Sequence, residues 1–146
     1  KYQLTKKCLE ILQKNNWPVT IQTKSSLVLQ DLDIFKKMSK LQVTLTITTA
    51  DERIRKIFEP NAPSIPQRIK TLEKLHQEGI KTCVMIAPLL PKAENLVFQL
   101  KGKADKVIID EMNYHYADWV YKKYQLGKRP EAGKILKRFQ EEGIVC

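Results

Sequence analysis

Polar side chains in this sequence stand at the ends of runs of β-branched residues, where a parallel strand would end. Thr23, Lys24 and Ser25 close the alternating run that begins at Val19. An ammonium group between two hydroxyls suits a ligand carboxylate or phosphate, and a surface lysine beside helix-capping serines is the equal alternative. Thr44, Thr46 and Thr48 share one face of the next run, where a hydroxyl could bond a ribose, although β-propensity explains most of this threonine usage.

Isolated acids and histidines give weaker signals. Glu59 precedes a proline and could accept hydrogen bonds at the same edge, but an acid after a helix is more often a turn residue. Asp110 and Glu111, after the fourth such run, are a similar case. His76 is predicted to be solvated on a helix, whereas His115, between two tyrosines, is predicted to line a surface or pocket.

An aromatic and basic stretch follows the last predicted strand. Its aromatic residues are Tyr114, Tyr116, Trp119, Tyr121 and Tyr124, and its basic residues are Lys122, Lys123, Lys128 and Arg129. Such a stretch could stack bases and neutralise phosphates of nucleic acid. At helical spacing, however, aromatic residues more often pack against the protein.

Other chemistries lack their motifs. Cys8, Cys83 and Cys146 are too far apart for a local metal or cluster site, and the two histidines are distant from each other, so no metal site is predicted. No P-loop, GxGxxG or GxSxG pattern occurs, which argues against NTPase, dinucleotide-binding and α/β-hydrolase functions. An odd cysteine count favours a reducing cytoplasm.

Length and charge indicate one globular domain with a diffuse positive charge. The 146 residues, of which 42% are hydrophobic, carry 26 basic and 16 acidic side chains, a formal net charge of +10. This balance favours polyanionic partners such as nucleic acid. No apolar run approaches the ~20 residues of a membrane span, and the chain starts without an initiator Met or a signal-peptide pattern.

Strand-like and helix-like runs alternate four times. Strands are predicted at residues 19–23, 43–49, 82–87 and 106–110. Helices are predicted at 4–15, at 27–38, after Asp51, at 64–78 behind an S-x-x-Q capping box, at 94–100 and at 131–142, with a loop or helix at 114–126 and a strand entrance at 143–145.

Four strand-then-helix units predict an α/β fold with a parallel sheet and helices outside it. Closed barrels and open sheets both use this plan, and in both the ligand lies at the carboxyl ends of the strands. The predicted rim is therefore formed by residues 23–25, 46–49, 87–91 and 110–113.

Several strings together resemble the radical SAM enzymes, in the branch similar to spore photoproduct lyase and often labelled DNA repair photolyase. The most specific strings are Thr-Lys-Ser at 23–25, Glu-Pro-Asn-Ala-Pro-Ser at 59–64 and Ala-Pro-Leu-Leu-Pro at 87–91. Weaker matches at 4–12, 19–29, 31–33, 46–51 and 79–80 and at Arg68 extend the resemblance over roughly residues 4 to 91.

The resemblance implies an incomplete (β/α)6 TIM-like barrel in which a 4Fe-4S cluster reduces S-adenosylmethionine to a 5′-deoxyadenosyl radical. The family's CxxxCxxC loop, which holds the cluster, does not occur in this sequence. The chain therefore resembles the carboxyl-terminal portion, about four β/α units, and residues 1–146 are expected to be a single partial radical SAM barrel domain truncated on its amino-terminal side.

Functional residues of the family carry over to matching positions of this sequence. Thr23, Lys24 and Ser25 match a strand end where polar side chains approach the methionine carboxylate or the substrate. Thr46 and Thr48 match the region that contacts the ribose.

Two further segments match the family's cofactor site. Glu59 and Arg68 match its Glu-Pro loop and the helix that follows. Residues near the adenine are matched by Ile86, Ala87 and Pro88. The glycine and acidic residue that usually follow the second loop proline are replaced here by Lys-Ala-Glu at 92–94.

The resemblance therefore implies the S-adenosylmethionine and substrate site of a radical SAM enzyme, with the cluster ligands outside this chain, and it suggests nucleic acid or a modified base as the substrate. Alone, the chain is expected to be catalytically silent. The alternative is a basic, non-catalytic α/β module that binds nucleic acid. Strand edges left without partners predict a homo-oligomer, and no membrane contact is expected.

Overall fold

Runs rich in β-branched and apolar residues form four parallel strands of one sheet. The computed structural model describes residues 3–112 and 115–146, with β1 at Val19–Thr23, β2 at Leu41–Thr46, β3 at Lys81–Ile86 and β4 at Lys106–Ile109. Their spatial order is β1-β2-β3-β4, so every neighbour is also the next strand along the chain. This confirms the predicted parallel α/β fold.

Of the seven helices in the described residues, four lie between consecutive strands, one precedes β1 and two follow β4. They are α1 (Leu4–Lys14), α2 (Leu32–Phe35), α3 (Glu52–Phe58), α4 (Ile65–Gln77), α5 (Leu96–Leu100), α6 (Asp118–Tyr124) and α7 (Ala132–Glu141), with 3-10 turns at Ser26–Asp31, Ala93–Asn95 and His115–Ala117. Among the described residues no helix is long and apolar enough to cross a membrane.

Three predicted elements differ from the structure. The helix predicted at 27–38 is a 3-10 turn followed by the single turn α2, because the Ser25 hydroxyl accepts the Leu27 N–H and begins a tighter turn. The strand predicted at 43–49 begins at Leu41 and ends at Thr46, and the strand entrance at 143–145 is one bridge between Val145 and Lys106.

The two faces of the sheet differ in chemistry. Toward the helices, Val43, Leu45 and Val84 are fully buried in the hydrophobic core with Leu72 and Leu75 of α4. On the opposite face lie Thr20, Gln22, Gln42, Thr44, Thr46, Cys83, Met85, Lys106 and Ile108, which alternate with the core residues along the strands. Strand periodicity therefore places the threonines of β2 on the polar face.

Strand β1 forms an open edge of the sheet. It pairs with β2 through residues 19–23, and no described strand pairs with its other side. Beside it, Leu4 and Ile11 of α1 and Leu27 are largely exposed. At the opposite edge, the bridge from Val145 covers the start of β4.

Candidate functional site

A polar cluster lies at the carboxyl ends of β1 and β2, with the Glu59 carboxylate at its centre. Lys24 Nζ lies 3.6 Å from Glu59 Oε1, and Arg68 Nη2 lies 2.6 Å from Glu59 Oε2. The Thr48 hydroxyl donates to Glu59 Oε1 at 3.3 Å. These four residues, the Glu59 cluster, join both strand ends to the loop after α3 and to α4.

Arg68 is held deep inside this cluster. Its side chain is 1% exposed, and besides Glu59 it bonds two backbone carbonyls, Thr46 at 3.0 Å and Pro63 at 2.9 Å. The predicted capping box starts α4 three residues earlier, since Ser64 and Gln67 bond each other's backbone N–H groups. The cap therefore sets where the Arg68 guanidinium enters the sheet edge.

A second buried arginine fixes the loop that carries Glu59. Arg55 Nη1 donates to the carbonyls of Glu59 and Ala62, both at 2.9 Å, and its Nε donates to Glu52 at 2.7 Å. Glu52 also accepts the backbone N–H of Ile65. Burial works to raise the pKa of Glu52, but these donors outweigh it and lower the pKa.

Sequence reasoning missed Arg55 and Glu52, although a signal was present. The acid and the arginine stand three residues apart at the start of a short helix, the spacing at which charged side chains meet. Arg55 is buried. The two residues form a support for the Glu59 loop rather than part of its accessible edge.

Lys24 is the accessible member of the Glu59 cluster. Its side chain is 39% exposed, against 11% for Glu59 and 1% for Arg68. Thr23 and Ser25 form a local turn instead: the Ser25 N–H donates to the Thr23 hydroxyl at 3.0 Å. The cluster therefore presents an ammonium group to solvent above a largely buried carboxylate.

The loop after β3 packs against the end of β2. The Thr49 hydroxyl donates to the Pro91 carbonyl at 2.6 Å, and the Leu90 N–H donates to the Thr48 carbonyl at 3.1 Å. The Ala87–Pro88 bond is cis, and the Ile86 side chain is fully buried in the core. This loop borders the cluster through its backbone.

The structure unites part of the predicted site. Lys24, Thr48, Glu59 and Arg68 are in direct contact, and Thr46 joins them through its carbonyl. Within the described parts of the chain, no hydrogen bond or ion pair links Glu59 to the other predicted residues. Those residues are Thr23, Ser25, Ile86, Ala87 and Pro88.

The carboxyl-terminal candidates are separate from this cluster. Glu111 accepts the Ala132 N–H at 2.7 Å and so caps α7, while His115 is exposed and contacts Asp118. Tyr121 packs edge-on against Phe58, with ring centroids 5.9 Å apart. Trp119 is 64% exposed, and the candidate residues 113 and 114 lie outside the described residues.

Sheet order and rim chemistry define a class of protein: a partial parallel α/β barrel with its polar site at the strand carboxyl ends. The chain belongs to the radical SAM superfamily, whose family model matches residues 1–95. That match includes every member of the Glu59 cluster.

Two curated relatives support the assignment. The chain is 32% identical over 152 residues to "Uncharacterized protein MJ0683" of Methanocaldococcus jannaschii, a match to 98% of this chain and 58% of that protein. It is 37% identical over 93 residues to "Uncharacterized protein ORF301" of Acidianus two-tailed virus, 62% of this chain and 30% of that protein. The chain thus spans about half or less of these relatives.

Solved structures confirm the partial-barrel fold. Streptococcus suis SuiB bound to S-adenosylmethionine superposes with a TM-score of 0.64 at 17% identity, covering 93% of this chain and 31% of SuiB. SuiB bound to its precursor peptide SuiA gives 0.63 at 17% identity, over 93% and 30% of the two chains. A mutant of spore photoproduct lyase gives 0.62 at 16% identity, over 94% and 51%.

The two cofactors that this family implies fit the chain differently. S-adenosylmethionine carries a carboxylate, an ammonium group and hydroxyls, and the Glu59 cluster offers an accessible cation beside a carboxylate and a hydroxyl. A 4Fe-4S cluster does not fit, because no group of three potential ligands occurs among the described residues. Cys83 is buried, which raises the pKa of its thiol.

Proposed function

We propose that this chain forms the S-adenosylmethionine-binding and substrate-binding side of a radical SAM enzyme. The observation that carries the proposal is the Glu59 cluster, which joins the ends of two strands inside the segment that matches the family. Only the charge of Lys24 is substantially accessible there. A ligand with an anionic group would therefore meet Lys24 first.

Different residues of the rim contact different parts of S-adenosylmethionine. Lys24 binds the methionine carboxylate, with the turn of Thr23 and Ser25 beside it. The Glu59 carboxylate accepts hydrogen bonds from the ribose hydroxyls, and the Thr48 hydroxyl, near Thr46, forms a further hydrogen bond with the ribose. The loop at Ile86–Pro88 borders the adenine. When bound and reduced by one electron from a 4Fe-4S cluster, S-adenosylmethionine supplies a 5′-deoxyadenosyl radical.

The barrel is completed by residues from outside this chain, which also supply the ligands of the 4Fe-4S cluster. The open edge of β1 and the exposed apolar side chains of α1 support this proposal, because unpaired strand edges and apolar surfaces are normally covered. Residues 1–146 are then one partial domain, silent by itself, and self-association would cover the same edge. Reading the gene upstream of Lys1 for CxxxCxxC tests this directly.

A matched pair of lysine variants tests the cofactor site in the complete gene product, reconstituted anaerobically with iron and sulfide. We expect Lys24→Gln to weaken binding of S-adenosylmethionine about tenfold, the worth of one charge-assisted hydrogen bond. Lys37→Gln, at an exposed lysine after α2, is the control. Equal affinity of the two variants for S-adenosylmethionine would mean that Lys24 does not bind the cofactor.

Activity of the same preparation tests the wider proposal. We expect a 4Fe-4S absorption band and, with dithionite, formation of 5′-deoxyadenosine. If neither is observed, the radical SAM function is wrong for this protein whatever Lys24 binds. Binding is measured by equilibrium dialysis, so the two results are independent.

The exposed side of α6 favours nucleic acid as a ligand. Nucleic acid would be the substrate of the enzyme or, in the second candidate function, the ligand of a non-catalytic module. Lys123 Nζ lies 6.0 Å from the ring centroid of Trp119 and 5.4 Å from that of Tyr124 on the exposed side of α6. Exposed aromatic rings beside cations stack bases and neutralise phosphates. This face is the specific support for the second candidate function.

A comparison of two exposed tryptophans tests that surface. Trp119→Ala is expected to weaken binding of a single-stranded oligonucleotide about tenfold, since one stacked base is worth about 1–3 kcal/mol. Trp17→Ala, at a side chain 60% exposed near the other end of the chain, should leave affinity unchanged. Binding that is absent at ~50 mM salt, where phosphate contacts are strongest, would exclude nucleic acid at this face.

A further inference from the structure

A cavity of about 400 Å³ lies between the loop after β3 and the segment that joins α6 to α7. It is separate from the Glu59 cluster, none of whose members lines it. Basic side chains dominate its wall: Lys92, Lys128, Arg129, Lys134 and Arg138. Two acidic residues also line it, Glu94 and Glu131.

Three of these cations have no acidic partner among the described residues. Among the residues that the structure describes, no carboxylate lies within ion-pair distance of Lys92, Lys128 or Arg138. By contrast, Lys134 pairs with Glu131 at 3.0 Å and Arg129 pairs with Asp118. The cavity therefore holds three positive charges that no described carboxylate pairs with.

The amino-terminal end of α7 is not the source of the attraction for an anion in this cavity. The first backbone N–H of that helix, at Ala132, donates to the Glu111 carboxylate. That N–H is thus already paired within the protein. Attraction for an anion arises instead from side chains on three different segments, carried by Lys92, Lys128 and Arg138.

We propose that this cavity binds a phosphate group of a ligand. A phosphate dianion accepts hydrogen bonds from several donors at once, and a guanidinium with two ammonium groups supplies them. The volume exceeds that of phosphate alone, so the apolar wall formed by Leu126 and Ile135 accommodates the rest of the ligand. This inference is independent of the cofactor site.

Lys92 offers a variant that removes charge without damaging the fold. Its backbone is left-handed, with φ of 68°, a conformation that glycine adopts without steric cost. Lys92→Gly therefore removes the ammonium group and relieves the backbone. We expect its Tm without ligand to equal or exceed that of the wild type, so a loss of binding cannot be assigned to unfolding.

Pyrophosphate is the probe, measured by the rise in Tm of the complete gene product against sodium chloride of equal ionic strength. We expect Lys92→Gly and Arg138→Gln each to raise the Kd about fivefold, as the loss of one partly screened charge pair would. Glu94→Gln should lower the Kd, because it removes a like charge. Lys137→Gln, at the preceding position of α7 and outside the cavity wall, is the matched control.

Two results would overturn the proposal. One is a Tm rise with pyrophosphate no larger than that with salt. The other is an equal loss of affinity in Lys137→Gln and Arg138→Gln, which would mean diffuse charge attraction. Where binding holds, competition by a single-stranded oligonucleotide identifies the phosphate of a nucleic acid backbone, and its absence identifies a small phosphorylated ligand.

Discussion

Basic residues serve opposite purposes in two regions of this protein. Around the Glu59 loop, the side chains of Arg55 and Arg68 are 7% and 1% exposed, and each bonds a carboxylate and two backbone carbonyls. In the cavity beside α7, Lys128 and Arg138 are exposed, and no carboxylate of the described residues pairs with them. The same residue types are structural in one place and available in the other.

This difference shows why the net charge of +10 does not by itself identify a binding surface. A buried guanidinium must keep its partners, because an unpaired charge in the interior is costly. Such a residue cannot be released to a ligand. Accessible cations must therefore be sought among exposed side chains, which include Lys24, the lysines of α6 and those of the cavity.

The largest expected effect is at Arg68. Arg68→Met should lower the free energy of unfolding by about 3–5 kcal/mol, because it removes the buried ion-pair partner of Glu59 and the donor to two backbone carbonyls. Urea denaturation measures it. A loss below about 1 kcal/mol, the range of exposed pairs, would place Arg68 with the exposed cations and break the comparison.

Combining this substitution with one at Glu59 measures the ion pair more directly. In the double variant Arg68→Met with Glu59→Gln, part of the lost stability should return, since no buried carboxylate is then left without its arginine partner. The interaction energy from this double-mutant cycle measures the ion pair itself. Strictly additive losses would mean that Glu59 and Arg68 are independent.

A smaller loss is expected at Glu52, which supports the same loop. Glu52→Gln keeps an acceptor for the Ile65 N–H but removes the charge opposite Arg55. We expect a loss of about 1 kcal/mol, the lower part of the range for hydrogen bonds to charged groups, since the Glu52 side chain is 36% exposed. Glu10→Gln, at an exposed residue of α1, should be neutral in the same urea titration.

Local patterns predicted most of the fold. Alternating β-branched runs located the four strands, and the capping box located the start of α4, because both signals depend on neighbours a few residues apart. The helix predicted at 27–38 was wrong for a similar local reason: apolar spacing outweighed the turn that begins at Ser25. Placement of polar residues at the strand ends followed from topology.

Contacts within the site depend on distant pairs, which periodicity does not report. Arg68 shows where a signal was available: it follows Ile65 by three residues and precedes Leu72 by four, so it lies on the buried stripe of α4. A charged residue in that stripe indicates a buried partner. That the partner is Glu59 could be learned only from the structure.

Glu78, a half-buried acid between two lysines, tests a case between the buried and the exposed cations. Lys36 and Lys74 each lie 2.5 Å from an oxygen of Glu78, and hydrogen bonds from these two lysines lower the pKa of Glu78 to about 2, from an ordinary value of 4.5. Because the folded value is the lower one, the contribution to stability is complete above the ordinary pKa and is lost as pH falls toward 2.

This pH dependence is read by comparing the wild type with Glu78→Gln. The difference between their free energies of unfolding should be largest above pH 5 and should shrink steadily on acidification. High salt should reduce it at neutral pH as well, because the group is screened by solvent. A difference that is constant from pH 6 to pH 2.5 would contradict the pKa assignment.

The smallest stability effect is expected where the proposed ligand site is. Arg138→Gln and Lys128→Gln should change the free energy of unfolding by less than about 0.5 kcal/mol in the absence of ligand. Each variant removes a cation that repels its neighbours and has no carboxylate partner among the described residues. Removing either therefore costs the folded state little.

The decisive measurement compares the loss of stability in Arg138→Gln with that in Arg68→Met. Both are arginines on a helix, yet one is fully buried with two carbonyl acceptors and an ion pair, and the other lines a cavity. A stability loss in Arg138→Gln comparable to that in Arg68→Met would mean that Arg138 is also structural. A neutral result, with pyrophosphate binding impaired in the same variant, means that its charge serves a ligand and not the fold.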